Sequence, residues 1–326
     1  MAFMKTVLIT GGAGFIGSHL CEEFLKKGFK VICADNLITG QKNNIIHLLG
    51  NKNFKFILAD VSELSSYKGP VKNYKLDYIL HFASPAGPNP YSSLSYMQIP
   101  IETYLVNSLG THLLLNLAKK NKAEFLFASS SEIYGNPLEH PQKETYFGNV
   151  NPIGPRACYD ISKRFGEMAT MTFAKKFGIK VKIIRIFNTY GPRMNPKDGR
   201  SITLFITQAL KNKPLTIFGN GQQTRSFCYI DDLVEGVTKV IEKGGTGEVY
   251  KIGSPQEITI NKTVKKILSL TKSSSKIIYQ KSCQDDPERR CPDITKAQKY
   301  LSWQPKISFE QGLLKTIEYF SNGLKS

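Results

Sequence analysis

Tyr159 and Lys163 stand four residues apart in Tyr159-Asp160-Ile161-Ser162-Lys163, so a helix here carries a phenol and an ammonium on one face. An ammonium beside a phenol favours the phenolate and lowers its pKa, which suits a group that takes a proton from an alcohol. Far upstream, Gly11, Gly14 and Gly17 follow a short apolar run in the pattern G-x-x-G-x-x-G. Such glycines allow a tight turn, close approach of backbone to a pyrophosphate, and close packing of the next helix on the strand. The N-terminus of that helix then attracts phosphate charge. A dinucleotide beside a tuned proton carrier implies reversible oxidation of a hydroxyl group.

Two further features sharpen this chemistry. Asp35 ends the second apolar run, 18 residues after Gly17 (35 − 17). A carboxylate there accepts hydrogen bonds from ribose hydroxyls and repels a 2′-phosphate, so the expected cofactor is NAD rather than NADP. Asp60 and Val61 follow the third strand and are expected to flank the adenine. The segment Ser129-Ser130-Ser131-Glu132 closes another strand. Ligands of open α/β sheets bind at the carboxyl ends of strands, where a hydroxyl orients a substrate oxygen and a carboxylate moves a second proton.

The elements that must position these groups alternate. Lys5–Thr10, Lys30–Ala34, Phe54–Leu58, Tyr78–Phe82, Glu124–Ala128 and Lys180–Ile186 read as strands. Ser18–Lys27, Thr103–Asn121 and Tyr159–Phe177 read as helices. Leucines 105, 109, 113, 114 and 117 give the second helix its apolar stripe. This order implies an α/β fold, a Rossmann-like doubly wound parallel sheet covered on both faces. Beyond residue 190, turn signals at Gly191-Pro192, Asn195-Pro196 and Asp198-Gly199 introduce a second, smaller mixed α/β lobe. The expected division is residues 1–187 with 227–254 for the cofactor, and 188–226 with 255–326 for the substrate.

Composition excludes several classes. No apolar run is long enough to span a membrane. The apolar start runs straight into the glycine turn and reads as a first strand rather than a signal peptide, which suits a cytoplasmic protein. Six cysteines form no Cys-x-x-Cys pair and have no histidine cluster beside them. No metal site or disulfide framework is therefore expected. The net charge of +18 raises nucleic-acid binding, but the basic residues are scattered and form no arginine-rich arm. A solvated lysine surface, able to gather anionic small molecules, is the better reading.

Stretches along nearly the whole chain resemble the extended short-chain dehydrogenase/reductases that act on nucleotide sugars. They include Thr10–Leu20, Ala83-Ser84-Pro85-Ala86, Ser129–Gly135, Asn151–Asp160, Arg185–Met194, Gln223–Phe227 and Gln284–Asp293. Within that family the pattern looks most like the branch that decarboxylates UDP-glucuronate to UDP-xylose. The resemblance implies that Tyr159 is the base for the sugar C4 hydroxyl and that Lys163 binds ribose and tunes it. It makes Ser130 the catalytic hydroxyl and Glu132 the nearby acid, and has Arg290 either contact the substrate carboxylate or assist its loss. It gives the cofactor Gly11, Gly14, Phe15, Ile16, Gly17, Asp35, Asn36, Asp60, Val61 and Ala83, together with Tyr159 and Lys163. It gives the UDP-sugar Ser84, Pro85, Asn188, Arg200, Arg225 and Arg290.

The family's dehydratases carry an Asp where this chain has Ser131, which speaks against water loss. Its 4-epimerases need neither Glu132 nor Arg290. Other members of the family, early release of a 4-keto pentose, and a silent NAD-sensing protein remain as alternatives. The loop Gly87–Pro100 is longer than in the decarboxylase pattern and lies where the family covers its sugar. The resemblance also implies a homodimer, paired through Thr103–Asn121 and Tyr159–Phe177.

Overall fold

A computed structural model describes residues 4–68, 71 and 74–323. The outermost residues of the expected division, 1–3 and 324–326, lie outside the described residues. The chain builds β1 (Thr6–Thr10), α1 (Phe15–Lys26), β2 (Lys30–Asp35), β3 (Phe54–Leu58), α2 (Leu64–Lys68) and β4 (Tyr78–His81). Next come α3 (Pro100–Leu105), a π-helical turn (Val106–Gly110), α4 (Thr111–Asn121), β5 (Glu124–Ser130) and a 3₁₀ turn (Ser131–Tyr134). Then α5 (Ala157–Phe177) and β6 (Val181–Ile186) complete the first half.

A seven-stranded sheet runs in the order β11-β6-β5-β4-β1-β2-β3, where β11 is Glu248–Ile252. All of its pairings are parallel. Parallel strands need crossover helices, which cover both faces, and the central strand β1 is accordingly buried along its whole length. Val7, Leu8 and Ile9 of β1 are fully buried. The order reverses between β1 and β4, so a crevice opens at the carboxyl ends of these two central strands. The glycine turn, the Ala83–Ala86 segment and the Ser130 turn all meet there.

The predicted elements differ from the observed ones mainly at their ends. The helix expected to start at Thr103 starts at Pro100, where proline loses no hydrogen bond in the first helical position. The π-helical turn Val106–Gly110 then interrupts it before α4. The α5 helix begins two residues before Tyr159 and closes on Gly178 in the left-handed conformation.

After β6 the chain forms β7 (Thr189–Tyr190), α6 (Ser201–Leu210), β8 (Leu215–Phe218), β9 (Thr224–Ser226), β10 (Cys228–Tyr229) and α7 (Ile230–Lys243). Beyond β11 come β12 (Glu257–Thr259), α8 (Ile260–Thr271), β13 (Ile277–Gln280), α9 (Thr295–Leu301) and α10 (Phe309–Gly323). Three small two-stranded sheets, β10-β7, β12-β9 and β13-β8, brace this part. Buried Trp303 anchors it by donating from Nε1 to the carbonyl of Asp232, 3.0 Å away.

Candidate active site

One continuous cavity runs from the glycine turn to Asp286. At one end the Gly11 backbone has φ +70°, a conformation that disfavours side chains. A Cβ on Gly17 would lie 2.0 Å from the Gly11 carbonyl oxygen, so the turn depends on both glycines. Asp35 is buried at the end of β2. Its carboxylate accepts from the Ala13 amide at 2.9 Å and the Leu37 amide at 2.8 Å. Burial pushes its pKa up, while these backbone amides pull it down. Asn36 donates to Asp60 at 2.8 Å. Phe15, Ile16, Val61 and Ala83 line the same end. The cradle admits backbone-hugging phosphates and offers ribose a carboxylate, so it fits NAD.

In the middle, β5 delivers Ser130 and the following 3₁₀ turn delivers Glu132. The Ser130 hydroxyl caps that turn by accepting from the Glu132 amide at 3.2 Å. Tyr159 is 6 % exposed. Burial raises its pKa well above that of a free phenol, with a Ser130 hydrogen bond working in the opposite direction. Lys163 is buried and donates to the Ala128 carbonyl at 2.8 Å. Burial pushes its ammonium down to about 7, with Glu167 partly offsetting the effect. The sequence expectation that Lys163 lowers the Tyr159 pKa therefore needs correction for this state. Removal from water dominates both groups, and the ammonium is tied to a backbone oxygen rather than to the phenol.

The sequence assigned neither Asn107 nor Tyr96. Asn107, from the π-helical turn, donates to Ser84 at 3.0 Å and Ser162 at 3.1 Å. A π turn admits one extra residue, which aims this amide inward. Tyr96 stacks on Tyr159 with ring centroids 4.8 Å apart and planes 13° apart.

Glu132 is gripped by two guanidiniums, Arg156 at short range and Arg290 at 3.2 Å. Burial disfavours its charge, but Arg290 and Arg156 outweigh it and hold the carboxyl down at about 2. Glu132 is thus a carboxylate, and the expectation of a resident acid does not fit this arrangement. Arg290 is 1 % exposed and turns to Glu132 and the Ser131 carbonyl. It does not line the cavity, so of its two expected roles the arrangement disfavours direct contact with a substrate carboxylate and leaves help in its loss. Its charge reaches the cavity through Glu132. Arg156 was not singled out from sequence, and neither was Asp160, which lies behind Tyr159. Burial, reinforced by the Glu132 charge, raises the Asp160 carboxyl to about 7.

At the far end Asn188, Arg200 and Arg225 join Ser84 and Pro85 in the wall. Arg225 pairs with Asp286 at 2.9 Å, and Arg200 with Asp198 at 2.5 Å. Away from the cavity, the fold gathers His140, Glu257 and Cys291, with ligand atoms within 4.8 Å of one another. The sequence reading saw no such cluster because the three come from separate segments. Each already has a protein partner: His140 bonds Glu257, and the Cys291 thiol faces the Pro255 carbonyl.

The chain matches the family described as GDP-mannose 4,6 dehydratase over residues 8–316. It is 46 % identical over 321 residues to UDP-glucuronic acid decarboxylase 1 of Danio rerio, covering 98 % of this chain and 74 % of that protein. The UDP-glucose 4-epimerase of Thermotoga maritima, solved with UDP-glucose, superposes with a TM-score of 0.89 at 31 % identity, covering 98 % and 99 % of the two chains. The UDP-glucuronic acid 4-epimerase of Bacillus cereus, solved with UDP-glucuronic acid and NAD, gives 0.85 at 31 % identity, with 97 % and 99 % covered. With the glycine cradle, the Ser130–Tyr159–Lys163 constellation and the match along nearly its full length, the chain belongs to the GDP-mannose 4,6-dehydratase family of extended short-chain dehydrogenase/reductases.

Proposed function

We propose that this protein decarboxylates UDP-glucuronate to UDP-xylose with NAD held in the glycine cradle. Gly11, Gly14, Phe15, Ile16 and Gly17 cradle its pyrophosphate, Asp35 and Asn36 hold the adenosine ribose, and Asp60, Val61 and Ala83 flank the rest. Bound there, NAD supplies a reversible two-electron oxidant. The residues of the chain do the remaining work.

Ser130 orients the C4 oxygen of the sugar, and Tyr159 takes its proton. A phenol this deeply buried needs help to give up its own proton. A cationic cofactor ring and a protonated Lys163 would both stabilise the phenolate. Oxidation at C4 makes the sugar a β-keto acid. Electrons from the breaking C5–carboxyl bond can then flow into the ketone as CO2 leaves, and C5 takes a proton before the two borrowed electrons return to C4 to give UDP-xylose. Asn188, Arg200 and Arg225 hold the diphosphate, for which the guanidinium fork is well shaped. Arg290 acts through Glu132, keeping its charge fixed beside Ser130.

The choice of decarboxylation over dehydration rests on the Ser130-Ser131-Glu132 turn. Ser131 brings a hydroxyl to the cavity wall at the position where the family's dehydratases carry an Asp. The identity to the Danio rerio decarboxylase supports the same reading. Incubation with NAD and UDP-glucuronate labelled at C6 tests it: labelled CO2 and UDP-xylose are the expected products. Absence of both refutes it.

The proposal extends to quaternary structure, domain division and compartment. Ile101, Tyr104 and Leu109 before α4, and Ile161, Phe165 and Met168 on α5, are exposed apolar side chains. They support a homodimer built on these helices. The edge position of β11 in the large sheet supports residues 1–187 with 227–254 as the cofactor domain, and 188–226 with 255–326 as the UDP-sugar domain. No helix among the described residues is long and apolar enough to cross a membrane. Six free thiols suit a reducing cytoplasm.

A further inference from the structure

The loop between Gly87 and Pro100 touches both ends of the reaction. At its base, the Tyr96 amide donates to the Gly87 carbonyl at 3.1 Å, closing the loop into a strap. Tyr96 then lies over the ring of Tyr159. At its tip, the strap is fastened to the substrate-binding half. The Ser92 hydroxyl donates to the Lys197 carbonyl. The Tyr91 ring stacks on Phe218, with centroids 5.6 Å apart and planes 15° apart. Gly87 itself sits so close to the Asp198 carbonyl that a Cβ would approach to 2.4 Å.

Tyr91 is 76 % exposed, so its contact with Phe218 is its main hold on the substrate-binding half. Phe218 lines the nucleotide-sugar cavity, whereas Tyr91 does not. Tyr91 therefore reaches the ligand only through Phe218 and through the strap it holds shut.

We infer that the strap is a retention latch: Tyr91 and Ser92 fasten it while Tyr96 covers the catalytic phenol, so that the oxidised sugar nucleotide stays until it is reduced. This rests on the proposed decarboxylation. There the sugar gives up two hydrogens at C4 and then CO2 from C5. The remaining ketone is two electrons short of the product, and those electrons sit on the reduced cofactor. If the ketone leaves first, the cycle ends with an oxidised nucleotide in solution and a reduced cofactor on the protein. A fastened strap makes that loss slow relative to reduction. Tyr91 is thus a positioning residue, and its removal moves the partition between the two products.

The test compares wild type, Tyr91→Ala and Tyr91→Phe. Affinity for UDP is measured by titration calorimetry, and the share of released 4-keto nucleotide by proton NMR of the products. Loss of one aromatic stack predicts that Tyr91→Ala binds UDP roughly 3- to 10-fold more weakly and releases a ketone share larger by a similar factor. Tyr91→Phe keeps the ring and matches wild type. A change in only one of the two readouts, in neither, or equally in both variants overturns the latch. Failure of the wild type itself to bind UDP or release CO2 instead overturns the functional reading.

Discussion

Replacing Glu132 by Gln tests the electrostatic centre of the site. The substitution keeps the shape and removes one negative charge. Glu132 stands between Arg156 and Arg290, and the Ser131 hydroxyl donates to it at 3.4 Å. Without it, Arg290 loses its only ion-pair partner among the described residues. Arg156 keeps only Asp286, at 3.3 Å, which already serves Arg225. Breaking a buried pair by removing one partner costs about 3–5 kcal/mol, because a charge is left without compensation. Arg290, left without an ion pair, and Arg156, left with a shared one, put this variant at the upper end. Asp160 offsets part of the cost, since the Glu132 field helps to hold its carboxyl up at about 7. An acid whose folded pKa is raised contributes stability below its unfolded pKa, here 3.8, and loses it as pH rises toward 7. In Glu132→Gln the Asp160 pKa falls, so that loss is smaller and is complete at a lower pH. Calorimetric unfolding across pH 4–8 measures both effects. A destabilisation below about 1 kcal/mol at pH 7, with an unmoved pH dependence, refutes the reasoning.

Tyr159→Phe is expected to lower turnover by about 10²–10⁴-fold while NAD affinity stays unchanged, as measured by steady-state kinetics and calorimetric titration. Normal turnover would exclude the phenol as proton carrier. Asp35→Ala weakens NAD binding, because a ribose acceptor is lost together with the carboxylate that holds the Ala13 amide of the glycine turn; equal affinity by titration counts against the assignment. Gly17→Ala pushes a methyl against the Gly11 carbonyl and should abolish NAD retention, visible as cofactor lost on gel filtration. A monodisperse monomer by light scattering would contradict the proposed homodimer.

Much of the architecture was legible because it follows from local rules. An apolar run that stops at glycines must be a strand, and a helix must return the chain for the next parallel strand. The cofactor end was legible for the same reason: Gly11, Gly17 and Asp35 are tied to fixed places in a strand–turn–helix unit. The π-helical turn was not. Leucines spaced along 105–117 report which face is buried, but they do not record one extra residue per turn at Asn107. That insertion depends on what the amide meets, namely Ser84 and Ser162, which lie on other elements.

The charges of the site were the least legible part, and the reason is physical. Spacing on one helix brings Tyr159 and Lys163 to the same face, but a pKa depends on everything that excludes water. Here β5 and the strap do the excluding, so burial rather than mutual attraction decides both groups. The same holds for Glu132 and Arg290, which are 158 residues apart in the chain. Residue type suggested an acid and an anion-binding cation. Folding instead made them partners, and Arg156 a third member. Glu132 is the member that lines the cavity, with two guanidiniums behind its one negative charge, so the cluster as a whole is cationic. The field that a substrate carboxylate meets there is therefore set by the balance of these three charges. Arg290→Ala therefore reads differently from the loss of a binding residue. With one guanidinium gone the Glu132 pKa rises and the cationic field behind the cavity weakens, so kcat for CO2 release falls and KM for UDP-glucuronate rises together, while NAD affinity stays unchanged. A rise in KM with kcat preserved would return Arg290 to direct substrate binding.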